Sequence, residues 1–501
     1  MIDPALVSVP AGRRDRTGAP EGADALAVAE LARAQGGREV LFVARDDARM
    51  ARMAETLAFF AADIEIIEFP AWDCVPYDRV SPHVEVVARR IDALSRLARA
   101  AADGARVVLT SVAALMQRVP PRQVLAGASF ATRSGDRLDL AGVVGFLNRN
   151  GYGRTDTVME PGEYAVRGGI LDLFPPGTPE PVRLDFFGDE LESIRSFDPL
   201  SQRTTGTLQG FSLAPVSEVT LDEAAIARFR SAYREMFGVV SGPDPLYESV
   251  SQGLKFNGME HWLPLFHDGM DTLFAYVPEA VAVLDPQVEA ARDARHALIL
   301  EYYEARRTIS RAGLAESGMV YHPLPPPRLF LDSAEWDRLL AARPVLALSP
   351  FAPGEDGQAD AGGRPGRDFA DIRSRPDGNV YAALHDYCRS ESRRVVLAAW
   401  SAGSRDRLAH VLGDHGLAPA MADGWEQALT VPPAKLPMVV LGLDHGFATD
   451  QVVVVTEQDL LGDRLARPAK KKRKGSQFLA EASALSEGDL VVHLEHGIGR
   501  Y

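Results

Sequence analysis

Short, almost wholly apolar runs recur in two separate blocks of this sequence. In the first block, REVLFVA (38–44), DIEIIEF (63–69) and ARVVLTS (105–111) alternate with helical text from about 47 to 61. Further helical spacing is set by Val87, Ile91, Leu94, Ala98 and Ala101. In the second block, RRVVLAAW (393–400), MVVLGL (438–443) and QVVVVTE (451–457) repeat the pattern. Such runs suit strands buried on both faces, and strands alternating with helices close into parallel sheets. Two α/β units are predicted. Between them, from about 121 to 213, the texture changes to strands and turns. EYAVRGGILDLFPPG and PVRLDFFGDELESIRSFD are alternating runs broken by glycine and proline, which predicts a small mixed α+β module. At 501 residues the chain exceeds one core, so a multidomain α/β architecture follows.

The rest of the chain connects these units. FPAWDCVPYDRVSPH is predicted as a long irregular loop. Residues 214–335 are helix-rich, and 336–368, dense in Gly, Pro and Asp, are predicted to be a flexible linker. The second α/β unit occupies 369–465. A basic linker at 466–477 carries four of the six lysines in the run Lys470–Lys474, ahead of GDLVVHLEHGIGRY at 488–501. With 46% hydrophobic and 25% charged residues, no apolar run near a membrane span and no signal-peptide core, the chain reads as a cytoplasmic globular protein. A net charge of −15 argues against broad coating of nucleic acid. Two cysteines, Cys74 and Cys388, supply neither a disulfide framework nor a zinc cluster.

An α/β start invites a search for a phosphate-binding loop, which needs mobile glycines and a lysine. No Gly-Lys dipeptide occurs anywhere. The nearest candidate, RTGAPEGADALAVAELA (16–32), places Glu21 and Asp24 where a triphosphate needs N–H groups and a cation. VVVVTEQD reads as a buried strand and a polar turn rather than a strand ending in metal-binding acids. HLEH lacks the HExxH spacing, and KKKRK reads as a solvated linker. No Ser/His/Asp or Cys/His arrangement is legible. Catalytic, cofactor and metal sites are therefore predicted to be absent, and the segment is not predicted to be an enzyme.

One stretch resists the pattern. In RLDFFGDE (183–190) a strand places Leu184 and Phe186 on one face, and Arg183, Asp185 and Phe187 on the other. Gly188-Asp189 suits a type II′ hairpin turn. Periodicity leaves two readings of Phe187 open. Either it tucks under a loop or against 124–148 as core, or it stands bare for a partner. Arg167 lies beside Gly168-Gly169, where a bulge would leave its face undetermined.

Several stretches together resemble the bacterial transcription-repair coupling factors: WDCVPYDRVSPHVEVVARRIDAL, LMQRV, GYGRTDTVMEPGEYAVRGGILDLFPPG, PVRLDFFGDELESIRSFD, SQRT, GMEHWLPLF, TEQDLLGDRLAR and GDLVVHLEHGIGRY. VRGGILDLFP and FFGDE are also similar to the excision-repair protein UvrB. The resemblance implies that 1–120 and 214–335 form a UvrB-like, degenerate P-loop (RecA-like) α/β domain without an ATP site. Residues 121–213 would be an inserted UvrA-binding domain, with Arg167, Arg183 and Phe187 as the UvrA-binding residues. Residues 369–465 would be a second α/β domain of unclear role. Residues 478–501 would open a truncated Tudor-like (CarD-type) β-barrel that grips the RNA polymerase β subunit, expected to dock loosely or stay disordered as a lone strand with unpaired edges.

The function implied is a monomeric adaptor that recruits UvrA to lesions at stalled RNA polymerase. No cofactor is implied in this segment. ATP, Mg and DNA belong to translocating motor domains that the family carries beyond the barrel, and the natural chain is inferred to continue into them. The alternative is a UvrB-like ATP-dependent helicase or damage-verification protein. A third reading, a DNA-binding module acting through Lys470–Lys474, requires strongly salt-dependent affinity.

Overall fold

The computed structural model describes residues 12–99, 104–127, 130–175, 178–213, 215–240, 242–311, 321–353, 359–462, 490–493 and 497–500. The first α/β unit is built on a six-stranded, wholly parallel sheet. Its strands lie side by side in the order Gly12–Arg16, Pro344–Leu348, Val281–Leu284, Val40–Ala44, Arg106–Ser111, Glu65–Phe69. Both faces are covered, as a parallel sheet requires. On one face Leu41, Val43, Ile67, Phe69 and Val108 pack against Ile91 and Leu94 of helix Val84–Ala98, and against residues that follow the insert, among them Phe266, Phe274 and Trp336. On the other, Val40, Phe42, Val107 and Leu109 meet Val28 and Leu31 of helix Ala23–Ala34, and Met50, Met53 and Leu57 of helix Asp47–Phe60.

The module inserted within the first α/β unit has its own sheet of six strands. Their order is Thr204–Leu208, Glu190–Phe197, Val182–Phe187, Ile170–Leu173, Glu163–Arg167, Gly153–Arg154. All pairings are antiparallel except that of Gly153–Arg154 with Glu163–Arg167. Val143 and Leu147 of helix Leu140–Arg149 cover one face through Leu171, Leu184, Leu191 and Ile194. The entering strand Phe130–Arg133 pairs with the leaving strand Gly210–Leu213, closing the module at its neck.

In the second α/β unit the strand order is Arg364–Pro365, Phe447–Ala448, Val452–Thr456, Arg394–Ala399, Leu436–Val440, Pro419–Met421. The last four are mutually parallel, and the first two add an antiparallel edge. The strand faces alternate strictly. Val395, Leu397, Met438, Val453 and Val455 join the unit's own helices through Leu384, Leu408 and Leu412. Val396, Ala398, Val439, Leu441 and Val454 belong instead to the core that holds helices Ala23–Ala34 and Asp47–Phe60. Phe60 stands edge-on to Trp425 and to Phe447 across this junction.

Two expectations need correction. Residues 336–368 are not a flexible linker throughout. Trp336 is buried in helix Ser333–Ala341, and Pro344–Leu348 lies inside the first sheet. Farther on, Ala359 and Ala361 exchange backbone hydrogen bonds with Thr17, and Arg364–Pro365 pairs as an edge strand. Glycine here permits close packing rather than mobility: a Cβ on Gly363 would fall 2.7 Å from both the Ala23 Cβ and the Gly18 carbonyl oxygen. At the other end, the strand drawn alone in GDLVVHLEHGIGRY is paired, because Leu490–His493 and Gly497–Arg500 form an antiparallel hairpin. Residues 478–489 and the run Lys470–Lys474 lie outside the described residues. Among the described residues no helix is long and apolar enough to cross a membrane.

Candidate protein-docking site

Strand Val182–Phe187 places its residues as the pleat dictates. Val182 and Leu184 are buried against the helix, while Arg183, Asp185 and Phe187 face the other way. The turn has a positive φ of 63° at Gly188 and none at Asp189, the signature of type II′, so Phe187 and Glu190 are paired at the tip. Phe187 is 75% exposed. It is not core.

The neighbouring hairpin settles Arg167. Its register runs Tyr164–Leu173 to Arg167–Ile170 without a bulge, and Gly168 alone carries positive φ. Arg167 is directly opposite Ile170, which is directly opposite Asp185. Arg167, Arg183 and Phe187 therefore share one face. Arg183 and Phe187 are separated along the strand by about 13 Å.

The two arginines differ in state. Arg183 donates to both carboxylate oxygens of Asp172, at 2.7 and 2.8 Å, and its guanidinium lies 4.8 Å from the centre of the Phe197 ring. Its side chain is only 17% exposed. Arg167 is exposed and donates one N–H to the Asp156 carbonyl at 2.9 Å. Sequence reasoning missed three participants. Asp172 fixes Arg183, Arg195 donates to Asp185, and Ile170 is an exposed apolar residue beside Phe187. Ile170 carried the same signal as Phe187, an apolar residue in the polar phase of an alternating strand.

The loop leading into helix Ala23–Ala34 is filled from within. One oxygen of Asp24 accepts from the Gly22 and Ala25 N–H groups at the helix start, where an anion would sit. Its other oxygen accepts from Arg49, which also donates to Asp285 at 3.0 Å. Burial pushes the Asp24 carboxyl up to about 6, against the pull of Arg49. Glu21 is held by Arg52. A Cβ on Gly22 would fall 2.5 Å from the Phe447 ring, so the second α/β unit covers this loop.

Other reactive groups are quiet. Cys74 lies 3.9 Å from His261, but burial pushes its thiol up to about 12 and the imidazole down to about 3. Asp459, the acid after VVVVT, forms a capping box with Thr456 and accepts from the Gly446 N–H. Among the described residues no group of three or more His, Cys, Asp and Glu could hold a metal.

Comparison with known proteins places this geometry. The family model "UvrB interaction domain" matches residues 130–218, the sheet carrying Phe187, and "MFD, D3 domain" matches 387–460. The transcription-repair-coupling factor of Haemophilus influenzae is 32% identical over 492 residues, covering 96% of this chain and 41% of that protein. That of Escherichia coli is also 32% identical, covering 95% and 40%. Over nearly its whole length the chain is similar to part of the transcription-repair-coupling factors. The Myxococcus xanthus factor is 29% identical over 521 residues, covering 98% of this chain and 42% of its own length. The chain thus spans about two fifths of the coupling factors it matches.

Proposed function

We propose that this segment is the UvrA-recruiting adaptor of a transcription-repair-coupling factor, acting in the cytoplasm at RNA polymerase stalled by a lesion. The observation that carries the reading is the bare Phe187 ring, set at a two-residue hairpin tip within the matched interaction domain. An exposed aromatic flanked by a guanidinium is the composition of an interface hot spot. In this reading the first α/β unit is a degenerate P-loop domain of RecA type, its phosphate place taken by the Asp24 carboxylate. The terminal hairpin opens a Tudor-like barrel toward the polymerase β subunit. ATP, Mg and DNA are handled by motor domains of longer family members.

The UvrB-like helicase reading is disfavoured, because a nucleotide would have to displace the Asp24–Arg49–Asp285 network from a loop that Phe447 covers. UvrA retention by the tagged 501-residue chain tests the proposal. The wild type retains UvrA without ATP turnover, and Phe187→Ala weakens binding by about 1–3 kcal/mol at unchanged melting temperature. A wild-type chain that fails to hold UvrA overturns it.

A further inference from the structure

We infer that the contact set on this face is Arg167, Ile170 and Phe187, with Arg183 acting beneath it as a positioning residue. The inference rests on the docking reading above and deepens it.

Ile170 is directly opposite Arg167 on one side and Asp185 on the other, and Phe187 is two residues beyond Asp185. Such a diagonal separates side chains by about 7–8 Å, within reach of an aromatic ring. Ile170, 37% exposed, and Phe187 thus make one apolar spot spanning two hairpin tips. The tips are locked together. Phe186 donates its N–H to the Gly169 carbonyl at 2.8 Å, and a Cβ on Gly169 would stand 2.7 Å from the Phe186 carbonyl oxygen. Only glycine allows that approach.

Charge then separates the arginines. Arg183 has its fork filled by Asp172, whose side chain is 1% exposed, and one guanidinium face on Phe197. Arg195 is likewise committed to Asp185. Arg167 pairs with no carboxylate among the described residues and keeps most of its fork toward solvent. Glu190, opposite Phe187, sets a negative corner on the far flank. The surface therefore fits a segment that presents an apolar side chain, with a carboxylate toward Arg167 and a cation toward Glu190. Removing Arg183 acts differently: it strands the buried Asp172 carboxylate, loosening the sheet under the spot.

The test measures UvrA affinity and melting temperature on the 501-residue chain for Phe187→Ala, Ile170→Ser, Arg183→Ala, and Arg183→Gln combined with Asp172→Asn. Ile170→Ser weakens UvrA about tenfold without lowering the melting temperature. Arg183→Ala lowers both. The double variant, a neutral hydrogen-bonded pair in place of the charged fork, recovers the melting temperature and most of the affinity. If the wild type binds and Phe187→Ala does not, yet Ile170→Ser binds as wild type, the contact set is wrong while the adaptor reading survives. A double variant with recovered stability but no recovered affinity shows that Arg183 touches UvrA itself. A wild type that does not bind at all sinks the underlying reading instead.

Discussion

Phe187 points into solvent because its neighbours in the pleat, Leu184 and Phe186, have already taken the covered face, and a two-residue turn leaves no loop to fold over it. Residues that face inward instead lose their chemistry. His261 is held neutral to about pH 3 by burial and by the nearby Arg306 guanidinium. In the unfolded chain the same imidazole takes up a proton as pH falls through its ordinary 6.5. Stability from this group is therefore complete above about pH 6.5 and is lost progressively as pH falls toward 3. His261→Asn should flatten the decline of melting temperature across that window, and an unchanged slope would refute the assignment. The cysteines give a second check. With Cys74 pushed up to about 12 and Cys388 to about 11, about one thiol in a thousand or fewer is thiolate at pH 8. Native protein should resist maleimide until denaturant is added; rapid native labelling at either position would contradict the buried environments.

Elements are held by contacts that distance along the chain conceals. Glu218, at the end of the matched interaction domain, is buried with Arg90 at 2.5 Å, accepts from the Trp72 indole at 3.1 Å, and shares Arg90 with the Phe69 ring. This pair clamps the returning chain to the first α/β unit. Glu218→Ala leaves a fully buried guanidinium without its carboxylate and should cost about 3–5 kcal/mol. A urea midpoint within error of wild type would show that the clamp bears nothing. Sequence legibility follows the same division. Val40–Ala44, Arg106–Ser111, Arg394–Ala399 and Val452–Thr456 were legible because each is a nearly continuous apolar run. Gly12–Arg16 was not, since an edge strand with four exposed residues has no apolar phase. Val281–Leu284 has only four residues between helical stretches, and Pro344–Leu348 was masked by the glycine-rich text after it. At the docking face the pleat put Phe187 on the polar side of its strand but left open whether a loop covers it. The engagement of Arg183 was hidden because Asp172, eleven residues earlier, becomes its neighbour only through strand register.

The whole molecule is layered, and the layer between its two large sheets is shared. Helix Ala23–Ala34, ADALAVAELARA, is buried on most sides, with small residues that let a sheet approach from each side. The second α/β unit thus exposes an apolar sheet face when separated, since among the described residues only the short helix Trp425–Thr430 of its own lies there. This gives that unit a physical role: it completes the core of the first and closes the loop at Gly22. The junction can be opened at one atom. Gly22 has φ 93°, strained for any side chain, and a Cβ would press 2.5–2.6 Å into the Phe447 ring against backbone that Asp24 holds fixed. Gly22→Val should therefore push the sheets apart, raise binding of an apolar dye, and make the 359–368 crossing sensitive to protease. The docking face, built on a different sheet, should keep the proposed affinity for UvrA. If instead the variant stays protease-resistant and melts as wild type, the two α/β units do not depend on this contact, and the shared layer is packing without consequence.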